Sequence, residues 1–275
     1  MRLGFNWTPE HRSPEDWAEM LSGFGLKSCV FPVSFDADIK LIDRYVKAAN
    51  DHDLIIAECG VWNSPHITDP TLAKKAKEDL VRGLELADYV KAECCVNISG
   101  AAGPVWNECY RENYSPELYD RNVELVRYLI DTVKPKNTYY ALEVMQWMLP
   151  DSPEQYVQFI RDVDRERFAV HMDAVNFVKD PYIYTHSGEL VRKAYSLLGD
   201  KIKSVHLKDC RIEPALSFIV HEVLPGIGEF DLDAYVEETD KLGPDIPVLF
   251  EHLDGLTEFL KALSYVKEKY KDRIV

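Results

Sequence analysis

Strand-like and helix-like patterns alternate along this chain from its first residues to its last. Short apolar runs at Leu3–Trp7, Leu26–Phe31, Leu54–Cys59, Glu93–Ser99, Tyr139–Glu143, Phe168–Asp173, Ile202–Leu207 and Val248–Glu251 read as buried strands. Amphipathic stretches follow them: Pro14–Ser22, Ala37–Asn50, Thr71–Tyr89, Ser115–Val133, one opening at Ser152, Ser187–Leu198, Leu232–Lys241 and Thr257–Tyr270. In the second of these Ile39, Ile42, Tyr45, Val46 and Ala49 recur at helical spacing. Ser-Pro pairs at Ser13–Pro14, Ser115–Pro116 and Ser152–Pro153 supply a cap and a first helical residue. Buried strands joined by helices make an α/β protein, and eight such units in 275 residues predict a closed (β/α)8 TIM barrel, one domain over 1–275. An open doubly wound sheet would ask for a glycine-rich turn after the first strand, where Trp7-Thr8-Pro9-Glu10 stands. The long stretch Cys210–Phe230 reads as irregular.

Four of the later runs end in an ionisable group: Glu143, Asp173, His206 and Glu251. A carboxylate at the end of a dry strand costs several kcal/mol unless something positive meets it. In a closed barrel these ends open at one face, so the four residues are the predicted ligands of one divalent metal ion. Three oxygens and one imidazole nitrogen suit Mn2+ first, and Mg2+, Co2+ or Zn2+ as well. His171, two residues before Asp173 and deeper in the strand, reads as structural. Asp209 lies three residues after His206, in reach of its imidazole or of a substrate hydroxyl.

Composition narrows the partners. Lys and Arg number 32 against 47 Asp and Glu, a net charge of −15 that argues against nucleic acid. No apolar run approaches membrane-spanning length and no signal-peptide pattern opens the chain, so a cytoplasmic protein without a membrane partner is expected. Six cysteines without CxxC spacing read as buried free thiols of a reducing compartment. Trp7, Trp62, Trp106 and Trp147 fall at strand ends or in the loops beyond them, where indoles can pack on a sugar ring. Asn6 and Asn97 occupy polar strand ends, Arg211 can meet an anion, and His221 can hydrogen-bond a substrate.

The ALE of Ala141–Glu143, MDAVN of Met172–Asn176, HLKD of His206–Asp209, PGIGEFD of Pro225–Asp231 and the strand-end Glu251 together carry a resemblance. Over nearly its whole length the chain resembles the sugar phosphate isomerase/epimerase group of xylose-isomerase-like TIM barrels. That resemblance implies Glu143, Asp173, His206 and Glu251 as metal ligands, with Glu143 and Glu251 doubling as an acid/base pair. It implies a metal-dependent isomerase or epimerase of a sugar, keto-sugar or polyol derivative, usually a homo-oligomer. Asn176 stands where ketose 3-epimerases of the superfamily carry histidine, and Lys208–Arg211 replaces their longer polar motif. With the HE of His221–Glu222, the pattern is also similar to large subunits of bacterial C-glycoside deglycosylases. Those cleave 3-oxo-glycosides and work with a small β-rich subunit. DNA-repair endonucleases of the superfamily need a positive groove that this charge does not provide, and a non-catalytic sugar-binding barrel is the remaining alternative.

Overall fold

A computed structural model describes residues 1–275. The eight apolar runs form one sheet of parallel strands: β1 (Arg2–Phe5), β2 (Ser28–Val30), β3 (Ile55–Gly60), β4 (Cys94–Asn97), β5 (Tyr139–Glu143), β6 (Phe168–Asp173), β7 (Ile202–Leu207) and β10 (Pro247–Phe250). Their lateral order is β1, β10, β7, β6, β5, β4, β3, β2, so each strand lies beside its neighbour in the chain. The two ends of that order meet: Lys27 N–H donates to the Leu3 carbonyl at 2.9 Å and the Ser28 hydroxyl to the Arg2 carbonyl at 2.9 Å. Gly4 permits the approach, since a Cβ there would collide with the Ser28 carbonyl and the Leu249 side chain. The result is the nearly closed barrel that the alternation predicts.

Helices pack around it. The Ser13, Ser115 and Ser152 hydroxyls accept from the backbone N–H groups of Asp16, Leu118 and Gln155, and a proline opens each of these helices. Leu80, Leu84 and Ala87 of Pro70–Val90, Leu129 of Pro116–Val133 and Phe159 of Pro153–Val163 are wholly buried against the strands. Two tyrosines tie helices to the strand ends that matter most. Tyr156 donates to the Leu142 carbonyl at 2.5 Å, and Tyr235 donates to the His206 carbonyl at 2.6 Å while accepting from Ala174 N–H at 3.1 Å. In register, Asp173 sits beside His206, so the two ligand candidates stand level on adjacent strands.

The segment read as irregular is built differently. Asp209–Ile212 (β8) and Val220–Val223 (β9) form an antiparallel hairpin over the barrel mouth. Each strand has four residues, and charged side chains break the alternation that would have announced them. A short helix at Pro181–Thr185, capped by Asp180, also lacks a sequence signal of useful length. No helix is long and apolar enough to cross a membrane.

Candidate active site

Glu143, Asp173, His206 and Glu251 converge at the mouth. One ligand atom from each lies within 4.8 Å of the others. His206 Nδ1 is 3.0 Å from Glu251 Oε2, 3.6 Å from Glu143 Oε1 and 4.0 Å from Asp173 Oδ2. Each side chain is anchored by one group and leaves another free. Asp173 Oδ1 accepts from the N–H groups of Val175 and Asn176, and Glu143 Oε1 accepts from Asn176 Nδ2 at 2.8 Å. Glu143 Oε2, Asp173 Oδ2, His206 Nδ1 and Glu251 Oε2 are buried without a hydrogen-bond partner. Three carboxylates and an imidazole converging from four strands, with hydrogen bonds left unmade on each, fit a divalent cation.

The electrostatics agree with the geometry. Burial, reinforced by the charge of Glu251, pushes the Glu143 carboxyl up to about 8. Burial works the same way on Glu251, but His206 and Lys208 outweigh it and hold that carboxyl well below the usual range. His206 is held well above the ordinary imidazole value because Glu251, Glu58 and Glu143 overcome its own burial. A bound cation would relieve the crowding by keeping all three carboxylates ionised.

Lys208 enters this group, which its place in the HLKD run did not announce. Its ammonium is buried 2.8 Å from Asp173 Oδ2 and 2.6 Å from Glu251 Oε2, ion-pair contacts whose angles fall outside hydrogen-bond geometry. It also donates to Glu222 Oε1 at 3.1 Å, and Glu222 Oε2 lies 2.5 Å from His252 Nδ1. His252 follows Glu251 directly and holds a left-handed φ of 53°, an uncommon backbone state that turns the chain away from the strand end.

A cavity of about 770 Å³ opens above these residues. Asn6, Trp7, Trp62, Trp106, Trp147 and Asn176 line it together with Glu143, Lys208, Glu222, Glu251 and His252. Asn6 Nδ2 reaches His206 Nε2 at 2.7 Å and Glu251 Oε1 at 3.2 Å. The buried Trp147 indole N–H has no partner within the protein.

Four expected substrate contacts lie elsewhere. Asn97 is buried and clamps the Asn63 backbone, Oδ1 accepting from Asn63 N–H at 3.1 Å and Nδ2 donating to its carbonyl at 2.9 Å. Asp209 anchors the following turn, accepting from Cys210, Gly226, Gly228 and Phe230 N–H groups at 2.8 to 3.1 Å. Four backbone donors saturate it, which leaves nothing for His206 or a substrate. Arg211 is exposed on the hairpin, and His221 pairs outward with Glu213 at 2.7 Å. Strand alternation in the hairpin explains the last two: Glu222 turns toward Lys208 and the cavity, so its neighbour His221 turns away. Glu58, a carboxylate inside the apolar run Leu54–Cys59, also belongs near this group, and only its position within the run could have signalled it.

Residues 7–269 match the family model described as xylose isomerase-like TIM barrel. No curated protein matches the chain. Among solved structures, a xylose isomerase-like TIM barrel protein from Mycobacterium smegmatis in complex with magnesium shares 17% identity, covers 100% of this chain and 97% of its own, and gives a TM-score of 0.69. The probable 3-DHS dehydratase AsbF involved in petrobactin synthesis from Bacillus anthracis shares 16% identity over 98% of this chain and 100% of its own, with a TM-score of 0.73. D-psicose 3-epimerase from Clostridium cellulolyticum H10, solved with D-tagatose, shares 15% identity over 98% of this chain and 99% of its own, with a TM-score of 0.70. At such identities the likeness is one of fold.

Proposed function

The chain belongs to the xylose isomerase-like TIM barrel family, and from that premise we propose that it is a divalent-metal-dependent isomerase or epimerase of a sugar, keto-sugar or polyol derivative. The carrying observation is the convergence of Glu143, Asp173, His206 and Glu251, one ligand atom of each within 4.8 Å of the others, at the floor of an indole-walled cavity. A divalent cation on this set, Mn2+ before Mg2+, Co2+ or Zn2+, supplies a Lewis acid that polarises a substrate carbonyl and its neighbouring hydroxyl.

The protein's own groups do the rest. Glu143, with one oxygen fixed by Asn176, is positioned to take a proton from the carbon beside the carbonyl. Return of that proton by the same carboxylate to the adjacent carbon is isomerisation. Delivery of a proton to the opposite face is epimerisation, and Glu251, ionised at rest, would carry that proton only after taking it up from solvent through the cavity. Trp7, Trp62, Trp106 and Trp147 offer apolar surface to a ring.

A second function is favoured by the cavity's size. About 770 Å³ falls in the range of sites for drug-sized ligands, with room for an aromatic group beyond one sugar ring. The same proton abstraction on a 3-oxo-glycoside would expel an aromatic aglycone, as in a C-glycoside deglycosylase that also has a small β-rich subunit.

The test begins with metal content by mass spectrometry on the purified protein and on Glu143→Gln. One ion per chain, reduced in the variant, supports the assignment. Ketoses, inososes and 3-oxo-glycosides are then screened for proton exchange in D2O. No metal taken up on titration would remove the proposed mechanism and leave a sugar-binding barrel.

A further inference from the structure

Beneath the candidate ligands lies a second group of ionisable side chains, enclosed by the barrel wall. Glu58 on β3 is wholly buried, and neither of its carboxylate oxygens has a hydrogen-bond partner. Two imidazoles face it. His206 Nε2 lies 3.3 Å from Glu58 Oε2 and His171 Nε2 lies 3.8 Å from the same oxygen, ion-pair distances that a small turn of the Glu58 side chain would bring into hydrogen-bond alignment. The two rings meet edge to face with centroids 4.0 Å apart. His171 Nδ1 is already engaged by the Ser204 hydroxyl at 2.5 Å, which leaves its Nε2 for Glu58.

This arrangement bears on the ligand set above. His206 presents Nδ1 to Glu143, Asp173 and Glu251. An imidazole that binds a cation through Nδ1 must carry its proton on Nε2, and that N–H needs an acceptor. Two side chains are near enough. The Asn6 amide, 2.7 Å away, can offer either its oxygen or its NH2 after a half-turn, so it adapts to whichever tautomer is present. Its oxygen turned this way gives up the 3.2 Å contact with Glu251, whose oxygens then face the cation. An ionised Glu58 has no such choice and can only accept.

We propose that Glu58 is a positioning residue that accepts the Nε2–H of His206 from inside the barrel and thereby fixes the tautomer that turns Nδ1 toward the metal. This rests on the metal assignment above. Glu58 would then hold the imidazole from the barrel interior while its other nitrogen serves the mouth. Carboxylates behind metal-bound histidines typically change metal affinity by 10- to 100-fold, which sets the scale expected here. The alternative, a second cation between Glu58, His171 and His206, requires His206 to give up both ring protons when the mouth is also filled.

The experiment compares Mn2+ affinity, by electron paramagnetic resonance titration, in the unaltered protein, Glu58→Met and Glu58→Gln. Glu58→Met keeps the side-chain length and removes the acceptor, so affinity should fall roughly 10- to 100-fold. Glu58→Gln restores a neutral acceptor and should recover most of that loss. Equal losses in both variants would mean that only the charge of Glu58 acts, and would overturn the proposal.

Long-range 1H–15N spectra of histidine-labelled, Zn2+-loaded protein read the tautomer directly and use the Gln variant if the Met variant does not fold. His206 should carry its proton on Nε2, and Asn6→Ala should leave it there. A proton signal lost in Asn6→Ala and unchanged in the Glu58 variants would assign the acceptor to Asn6 and overturn the proposal. Two Mn2+ per chain, one of them lost in Glu58→Gln, would replace it with an inner cation site. No Mn2+ uptake by the unaltered protein would overturn the metal assignment itself, whereas uptake indifferent to both Glu58 variants would overturn this proposal alone.

Discussion

Strands β5, β6 and β10 deliver Glu143, Asp173 and Glu251 to the barrel mouth and β7 delivers His206, whereas β1 to β4 lead into Asn6 and Trp7, Phe31, Trp62 and Ile98. One half of the rim is ionic and the other amide and aromatic. The aromatic half is packed: Trp7 stacks on Phe259 at 5.4 Å and 12°. Low-dielectric walls make buried carboxylates expensive, so the apolar half sharpens the need of the ionic half for a positive partner. The rise of Glu143 to about 8, driven first by burial, is that effect in one residue. A substrate spanning the mouth would set its oxygens on one side and its ring face on the other.

The largest effects should come from the ionic half. Glu143→Gln and Glu251→Gln remove the proposed proton carriers and should each lower turnover by at least ~10²-fold while the barrel stays folded. Solvent deuterium incorporation into the substrate, followed by NMR, measures this. Near-normal exchange in either variant would withdraw that residue from proton transfer and leave it a ligand at most.

Lys208 tests whether the ionic half is built around positive charge. Burial opposes its ammonium, yet Asp173, Glu251 and Glu143 hold it well above its ordinary pKa. Lys208→Met would strand those carboxylates and should cost about 3–5 kcal/mol in urea denaturation with a chelator present. Saturating Mn2+ should return most of this, since the ion binds only the folded chain. An equal loss with and without Mn2+ would show that Lys208 and the cation do not share the site.

The aromatic half has its own ionisable support. His66 follows Trp62 in the same loop and its Nε2 lies 2.9 Å from Asn122 Oδ1 of the neighbouring helix. Burial, aided by the nearby charge of Arg121, lowers its pKa to about 4. Because the unfolded chain binds this proton more readily, the contribution is intact above about 6.5 and is lost as pH falls toward 4. The full loss is about 3 kcal/mol. Urea midpoints at pH 7 and pH 5 should therefore converge in His66→Gln relative to the unaltered protein. An unchanged difference would place the acid sensitivity in the carboxylates.

The two halves were not equally legible. Eight strands and the (β/α)8 closure followed from alternation, because a strand buried on both faces is a continuous apolar run and its helix shows a 3.6-residue period. The convergence of Glu143, Asp173, His206 and Glu251 followed from one rule, that a charge ending a dry run needs a partner. Glu58 gives no such signal, because it lies two residues short of the end of β3 and is wholly buried. Lys208 stayed hidden because a lysine after a strand ordinarily reaches solvent. The positions of Asp209, Arg211 and His221 depend on the hairpin, which the sequence does not announce and whose alternation decides which side chains face the cavity. Asn97 looks like a substrate donor in sequence, and only the course of the Asn63 loop shows its amide already used.

The smallest expected effect is the most direct probe of the aromatic half. Trp62 folds back over Gly60, where a side chain would meet its indole, and lines the cavity. A ring–indole contact contributes about 0.5–1.5 kcal/mol beyond its buried area, and the substrate makes it equally before and during proton transfer. Trp62→Ala should therefore raise KM by roughly 2- to 10-fold with kcat nearly unchanged. Trp62→Phe, which keeps an apolar face, should recover part of the loss. If kcat falls instead and KM does not move, the indole acts on the reacting centre and the separation between an ionic, reacting half and an aromatic, holding half is wrong.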